Sequence, residues 1–386
     1  MASADLLRRL PRWLRGIRRP RPVIAPNGLD RGVALRGALW TGGDAVEVDV
    51  RDGVVIVGPE GRVVAFGAFG EVPLPVGMRI LGGPEHWVVP GVVDAHVHLA
   101  FGPVTGAVVG VRDLGAPPGL LLTARGMGDG AARRRAHGCC AAAGPIITAP
   151  GGYPSTTWGR HGFARGIDTP EAARTLVADL LTDGVALVKI AIEPADGLPT
   201  PAPEVVRGVV TAAHDAGLPV TAHALAAEAV MRALDAGVDE LAHTPTEPLD
   251  ATLLDHIAAA DIPVVSTLQT FCAGGEGRAP MSNARGLHER GVRLVYGTDL
   301  GNGGTQPGVD PRELDRLAEA GLRREGALLS AVSAGRHAVG LGCAPDGRIV
   351  VGAAAAVVVL PGSPLDEPSL WRAPTAVVRD GVLTVP

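Results

Sequence analysis

Residues 185–244 read VALVKIAIEPADGLPTPAPEVVRGVVTAAHDAGLPVTAHALAAEAVMRALDAGVDELAHT. Three short apolar runs, VALVKIAIE (185–193), LPVTAHA (218–224) and ELAHT (240–244), alternate with two stretches of helical periodicity, residues 202–217 and 226–237. Gly217 and Gly237 stand where the helices must stop, because a left-handed residue just past a helix end selects glycine. Short apolar strands separated by amphipathic helices imply a parallel sheet, since a parallel connection needs a crossover of a dozen or more residues.

The same alternation extends on both sides, from about Trp87 to Val339. Five further runs fit strands: GVVDAHVHL (91–99), AVVGVRDL (107–114), PIITA (145–149), IPVVSTL (262–268) and RLVYGTDL (293–300). Helical stretches such as PEAARTLVADLLTDG (170–184) and ATLLDHIAAAD (251–261) fill most of the intervals. Thr169 before Pro170, and Asp310 before Pro311, are N-caps followed by proline at the first helical position. Eight such units predict an α/β fold, a (β/α)8 TIM-type barrel with its site at the C-terminal ends of the strands. A doubly wound open sheet is the competing arrangement. Both ends of the chain read instead as strands and turns, with hairpins expected at Asp52-Gly53, Glu60-Gly61 and Asp380-Gly381. The expected organisation is a basic tail over residues 1–30, a small β-sandwich from residues 31–89 and 346–386, and the barrel over residues 90–345.

Composition narrows the function. Hydrophobic residues make up 46% and charged residues 19% of the 386, and the net charge of −5 gives no reason to expect nucleic acid as a partner. No run of about 18 apolar residues occurs, so no stable membrane insertion is expected. Arg8, Arg9, Arg12, Arg15, Arg18, Arg19 and Arg21 interleave with apolar residues near the start. No apolar segment follows Arg8-Arg9 to complete a twin-arginine signal, so a disordered or loosely docked tail is expected, with a short basic amphipathic helix touching an acidic surface as the alternative. Cys139, Cys140, Cys272 and Cys343 have neither zinc-site nor disulfide spacing, which suits reduced thiols in a cytoplasm.

The chemistry lies in the histidines. His96 and His98 are two apart, so both imidazoles leave the same face of one strand. Lys189 lies in the fourth strand; His223 ends the fifth, His243 the sixth and Asp299 the eighth. The other histidines fall in loops or helices. Imidazole and carboxylate suit Zn2+, Mn2+ or Fe2+. Lysine is ordinarily protonated, but burial beside cations frees its amine, which can add CO2 and become a carbamate able to bridge two metals. Two ions about 3.5–4 Å apart lower the pKa of a shared water and polarise a carbonyl. Asp299 can ligate one of them and carry the proton of the hydroxide to a leaving amine. Singly, each residue has a plainer explanation as core histidine, salt-bridge partner or helix cap. Six in chain order on five strands read as a metal site.

These residues resemble the amidohydrolase superfamily. The likeness lies in WVVPGVVDAHVHL, VKI, the VTAHA and ELAHT pair and VYGTD, and it extends over nearly the whole chain after Val33. VGVRDLG, GPIITAPGGY and TPEAARTLVADLLTDGVALVKIAIE are similar to the branch of imidazolonepropionase-like proteins and Xaa-Pro (prolidase-like) dipeptidases. The resemblance implies that His96 and His98 bind the more buried ion with Asp299, that His223 and His243 bind the second, and that carboxylated Lys189 bridges. It implies two divalent ions, Zn2+ foremost, or one if Lys189 is unmodified. Lys189 places the chain nearer the two-metal dipeptidases than the one-metal imidazolonepropionases. Many relatives carry histidine where this chain has Tyr153, and AAAAVVVL replaces the more usual ADLVVL.

The expected reaction is hydrolysis of a C–N bond, in an amide, peptide or cyclic amide, by metal-bridged hydroxide with Asp299 as base and acid. A deaminase, a lactone or ester hydrolase, and a non-catalytic metal-binding paralogue are the alternatives. Arg112, at the end of the second strand, is expected to clamp a substrate carboxylate or to form a structural ion pair. Tyr153, Arg160 and His161, in a loop that also holds Trp158 and Phe163, are expected to touch substrate. The partner implied is a small amide or dipeptide; self-association is left open.

Overall fold

The computed structural model describes residues 32–118, 120, 139–273, 277–338, 340, 347–379 and 382–385. The arginine-rich segment expected as a tail over residues 1–30 lies outside them. The first described elements are β1 (Val33–Leu39), β2 (Val50–Val57), β3 (Val63–Ala68) and β4 (Arg79–Pro90). Val33, Leu35, Leu39, Val55 and Val57 pack on one face, and Ala34, Val54 and Ile56 on the other, as a period of two requires. Glu60-Gly61 makes the β2–β3 turn, with Gly61 at φ 73°. Asp52-Gly53 does not turn the chain. Both lie inside β2, where Asp52 pairs with Arg36 of β1 through two contacts of 2.8 Å. Gly53 is needed there for space, since a Cβ would sit 2.6 Å from that of Leu39.

The barrel follows, with β5 (Val92–Val97), β6 (Val108–Asp113), β7 (Cys139–Ala142), β8 (Ile146–Thr148) and β9 (Ala164–Gly166). After these come β10 (Val188–Ala191), β11 (Val220–His223), β12 (Glu240–Leu241), β13 (Val264–Val265) and β14 (Leu294–Val295). Pairing is parallel throughout: β5-β6-β7 on one side and β8-β10-β11-β12-β13-β14 on the other. The third barrel strand is longer than PIITA. It begins at Cys139, pairs with β6 as β7, bends at Gly144 (φ 74°), and pairs with β10 as β8. A bond from Ala186 N–H to Ala142 O (2.9 Å) spans the bend. Closure comes from β5 against the segment after β14: Asp299 N–H donates to His96 O and His98 N–H to Leu300 O, both at 2.8 Å. The eight-stranded ring is closed.

The helices are α1 (Pro170–Thr182), α2 (Pro203–Asp215), α3 (Ala227–Ala236), α4 (Ala251–Ala259), α5 (Leu268–Cys272), α6 (Arg278–Glu289) and α7 (Pro311–Leu317); the short α5 follows β13 at the mouth of the barrel, and the others cover the outside. Thr169 Oγ1 accepts from Ala172 N–H at 3.1 Å, and Asp310 caps α7 in the same way. In α2 the buried residues Val205, Val206, Val209, Val210 and Ala213 form one stripe against the barrel. Each buried valine there contributes on the order of 1.5–3 kcal/mol.

Three strands near the C-terminus, β15 (Ala356–Leu360), β16 (Ala376–Arg379) and β17 (Val382–Thr384), return to the first sheet. The order is β17-β16-β15-β4-β1-β2-β3, so β4 lies between β1 and β15. β16 and β17 pair antiparallel as a hairpin should, though Asp380-Gly381 lie outside the described residues. The sheet also curls over: Val63 N–H donates to Ala353 O at 3.0 Å and Gly352 N–H to Val63 O at 2.7 Å. The sandwich-like core built from both ends of the chain follows from this curl.

Candidate metal centre

Strand alternation brings His96 and His98 to the barrel interior, where both are buried. Asp299 comes to meet them from a left-handed turn (φ 55°) just past β14. That turn is held by Asp94, whose carboxylate accepts from Thr298 Oγ1 (2.5 Å), Thr298 N–H (3.0 Å) and His96 N–H (3.1 Å). Asp299 Oδ1 stands 3.3 Å from Nε2 of both His96 and His98. Ligands about 2.1 Å from a tetrahedral ion are roughly 3.4 Å apart. The three side chains are therefore placed to hold a divalent ion, their ligand atoms all lying within 4.8 Å of one another.

The remaining three candidates complete a wall beside them. The His243 ring centroid lies 4.5 Å from that of His96 and 4.6 Å from that of His223. Two rings are turned by their outer nitrogens. His96 Nδ1 lies 2.8 Å from Ala242 O and so carries the proton, leaving Nε2 as the lone pair that faces Asp299. His243 Nδ1 lies 3.0 Å from Thr267 Oγ1, which likewise turns Nε2 inward. Lys189, on β10, is buried, and among the described residues its Nζ has no hydrogen-bond partner.

Burial sets the protonation states. It drives His96 and His243 well below the usual imidazole value and His223 down to about 3, so all three are neutral and able to ligate. Burial also pushes the Lys189 amine down to about 7, with Arg112 opposing Asp299 and Glu240 in smaller effects. For Asp299 burial alone would raise the carboxyl. The basic side chains around it, His96, His98 and Lys189, outweigh that and hold it well below the usual carboxylate range. A buried amine brought close to neutrality, with no hydrogen-bond partner among the described residues, three neutral imidazoles and an ionised carboxylate form a donor set suited to hard or borderline divalent cations. Lys189 is also the only lysine of the chain, which carries 34 arginines.

The sequence profile of the amidohydrolase family matches residues 87–383. The chain belongs to that family. This amidohydrolase superposes on a Xaa-Pro dipeptidase solved with methionine bound, at a TM-score of 0.74 and 21% identity, over 92% of this chain and all of the other. A Bifidobacterium longum protein assigned provisionally as a prolidase matches at TM-score 0.75 and 26% identity, over 92% and 95% of the two chains. An Aspergillus niger (A. niger) ochratoxinase matches at TM-score 0.72 and 17% identity, over 92% and 96%. A search of the curated proteins found no match. The family and the prolidase-like neighbours agree with the resemblance read from the motifs, and the family assignment makes this chain a hydrolase of the amidohydrolase type.

A cavity of about 170 Å3 opens above the six side chains, and it sorts the other candidates of the amidohydrolase. Tyr153 and Trp158 line it. The Tyr153 ring lies 4.9 Å from that of His223, and Trp158 Nε1 donates to Tyr153 Oη at 3.2 Å. Burial, with Asp299 and Glu193 nearby, raises the Tyr153 phenol, which stays protonated. Arg160 and His161 do not line the cavity; both are exposed on the outer part of the same loop. Arg112 is no clamp. It is fully buried beneath the site, where its guanidinium pairs with Glu240 through both terminal nitrogens and donates from Nε to Ala95 O at 2.8 Å. The structural pair is the reading that holds, because the side chain points into the barrel interior toward β12. Glu193, Phe271 and Asn302 line the cavity as well, and motif reading did not single them out.

Proposed function

We propose that this amidohydrolase cleaves the amide or peptide bond of a small molecule, using two divalent ions held by His96, His98, Lys189, His223, His243 and Asp299. His96, His98 and Asp299 would take the more buried ion and His223 with His243 the other, with carboxylated Lys189 between them. The single observation that supports this best is Lys189: the chain's one lysine, buried among neutral imidazoles, with no hydrogen-bond partner for Nζ among the described residues. A guanidinium could never lose its proton to become a ligand, whereas an amine can. When bound, the ions supply Lewis acidity, acidifying a water and polarising the scissile carbonyl.

The chain's own groups do the rest. Asp299 accepts the proton of the attacking water and delivers it to the departing nitrogen, which leaves as an amine. Tyr153, kept protonated by its burial and oriented by Trp158, donates its O–H to the carbonyl oxygen as negative charge builds there. Aromatic walls from Trp158 and Phe271 exclude water from the cleaved bond.

The test is metal analysis of the purified protein with intact mass, followed by assays on dipeptides, simple amides and N-acyl amino acids. About two ions per chain, a mass increase of 44 on the sole lysine, and amide hydrolysis lost in Asp299→Asn are expected. One ion on an unmodified lysine, or ammonia release from an aminated heterocycle without amide cleavage, would replace this reading.

A further inference from the structure

The amidohydrolase cavity carries one charged group that the chemistry above leaves unused. Lys189, Ala191 and Glu193 alternate along β10 and the residues just beyond it, so all three side chains leave one face and all three line the cavity. Ala191 is small, so nothing from the strand itself stands between the lysine and the carboxylate. Glu193 is half-buried, and a single oxygen fixes it: Oε2 accepts from Leu225 N–H at 2.6 Å and from Ala226 N–H at 3.0 Å. The second oxygen, Oε1, receives no hydrogen bond from any described residue. A carboxylate anchored by one oxygen at a cavity wall presents the other as a fixed acceptor.

The charge balance of the cavity points the same way. Apart from the six candidate ligands, Glu193 is the only charged side chain among the described residues that line it. Arginines that would answer a substrate carboxylate are elsewhere: Arg112 is taken by Glu240, and Arg160 lies outside the cavity. Tyr153, Trp158 and Phe271 give the rest of the wall an aromatic character that tolerates an ammonium better than a carboxylate.

We propose that Glu193 is the specificity residue of this amidohydrolase, an anionic subsite for a free amine, so that its preferred substrates are amides bearing an ammonium group rather than N-acyl amino acids. The proposal rests on the amide-hydrolase reading for the identity of the bond cleaved, but not for the binding preference. A helix cap alone would need only the two backbone bonds to Oε2 and would leave substrate choice untouched.

Calorimetry on the zinc-loaded full chain tests it with three probes: L-leucinamide, N-acetyl-L-leucinamide and N-acetyl-L-leucine. The first is expected to bind at least tenfold more tightly than the other two. In Glu193→Gln, which keeps an oxygen for the Leu225 and Ala226 amides, the preference for the free amine is expected to shrink to within about twofold. Equal or weaker binding of L-leucinamide by the wild-type chain overturns the proposal without any variant, as does a preference that survives in Glu193→Gln. Ammonia release from L-leucinamide, measured in parallel, reports on the hydrolase reading. Amine-selective binding without turnover upholds the subsite and defeats the hydrolase, and turnover without selectivity does the reverse.

Discussion

Replacing Arg112 by methionine should destabilise the barrel severely while leaving the cavity lining intact. Arg112 and Glu240 are both 0% exposed. Glu240 is held from three directions, by Nη1 of Arg112 at 2.9 Å, by Nη2 of Arg112, and by Thr221 Oγ1 at 2.7 Å. Arg112 Nε ties the pair to the carbonyl of Ala95, the neighbour of His96. Methionine fills most of the volume but strands a buried carboxylate, and breaking one side of such a pair costs about 3–5 kcal/mol. On the scale of a domain of 150–250 residues, about 4 kcal/mol lowers the thermal midpoint by roughly 8–16 °C. Arg112→Met with Glu240→Leu removes both charges, and it should recover most of that loss, because a well-packed apolar replacement of a buried pair is often neutral. Differential scanning calorimetry of wild type, both single variants and the double variant gives the coupling. Two results would refute the argument: a single variant that melts within about 2 °C of wild type, or a double variant no better than Arg112→Met. A stable Arg112→Met enzyme that fails only on substrates with a carboxylate would instead restore the clamp.

Thr267→Val removes the hydroxyl that turns His243, and metal affinity, measured by competition with a chromophoric chelator, should fall about 10–100-fold. Tyr153→Phe keeps the ring beside His223 but takes away its donor. It should lower kcat about 100-fold with little change in KM; steady-state kinetics showing the loss in KM alone would make Tyr153 a binding residue only. Burial pushes the Glu313 carboxyl up to about 7, although it accepts from Leu268 N–H and Gln269 N–H. A folded pKa raised above the ordinary value means stability that is complete below about pH 4.5 and lost as pH rises through 7. The midpoint of the wild type should thus drop between about pH 5 and pH 8 by more than that of Glu313→Gln, and equal slopes would exclude Glu313 as the cause.

The ring of strands and the six inward side chains were legible because histidine, lysine and aspartate stand out against apolar runs. What escaped has physical reasons. Cys139–Ala142 lacks the β-branched and aromatic residues that mark a strand, and Gly144 divides it from the recognisable PIITA. Asp52-Gly53 has the composition of a turn, but a cross-strand pair with Arg36 and the closeness of Leu39 keep it in a ladder. The face of Arg112 could not be told because its partner is 128 residues away. Glu193 lay in plain view within VALVKIAIE, two pleats beyond Lys189 on the same face, and strand parity alone would have found it. The composition held a second overlooked signal. A chain that uses arginine at every other basic position keeps a primary amine at one place.

The position of β4 between β1 and β15 has a consequence for synthesis. Residues 79–90 leave the ribosome early, whereas the strand that covers their second edge begins at Ala356. For on the order of tens of seconds the nascent chain therefore carries an unpaired row of backbone donors and acceptors beside the apolar Val88 and Val89. Chaperone demand should be concentrated in that interval, and a stop codon placed before residue 356 should yield aggregates rather than a free barrel.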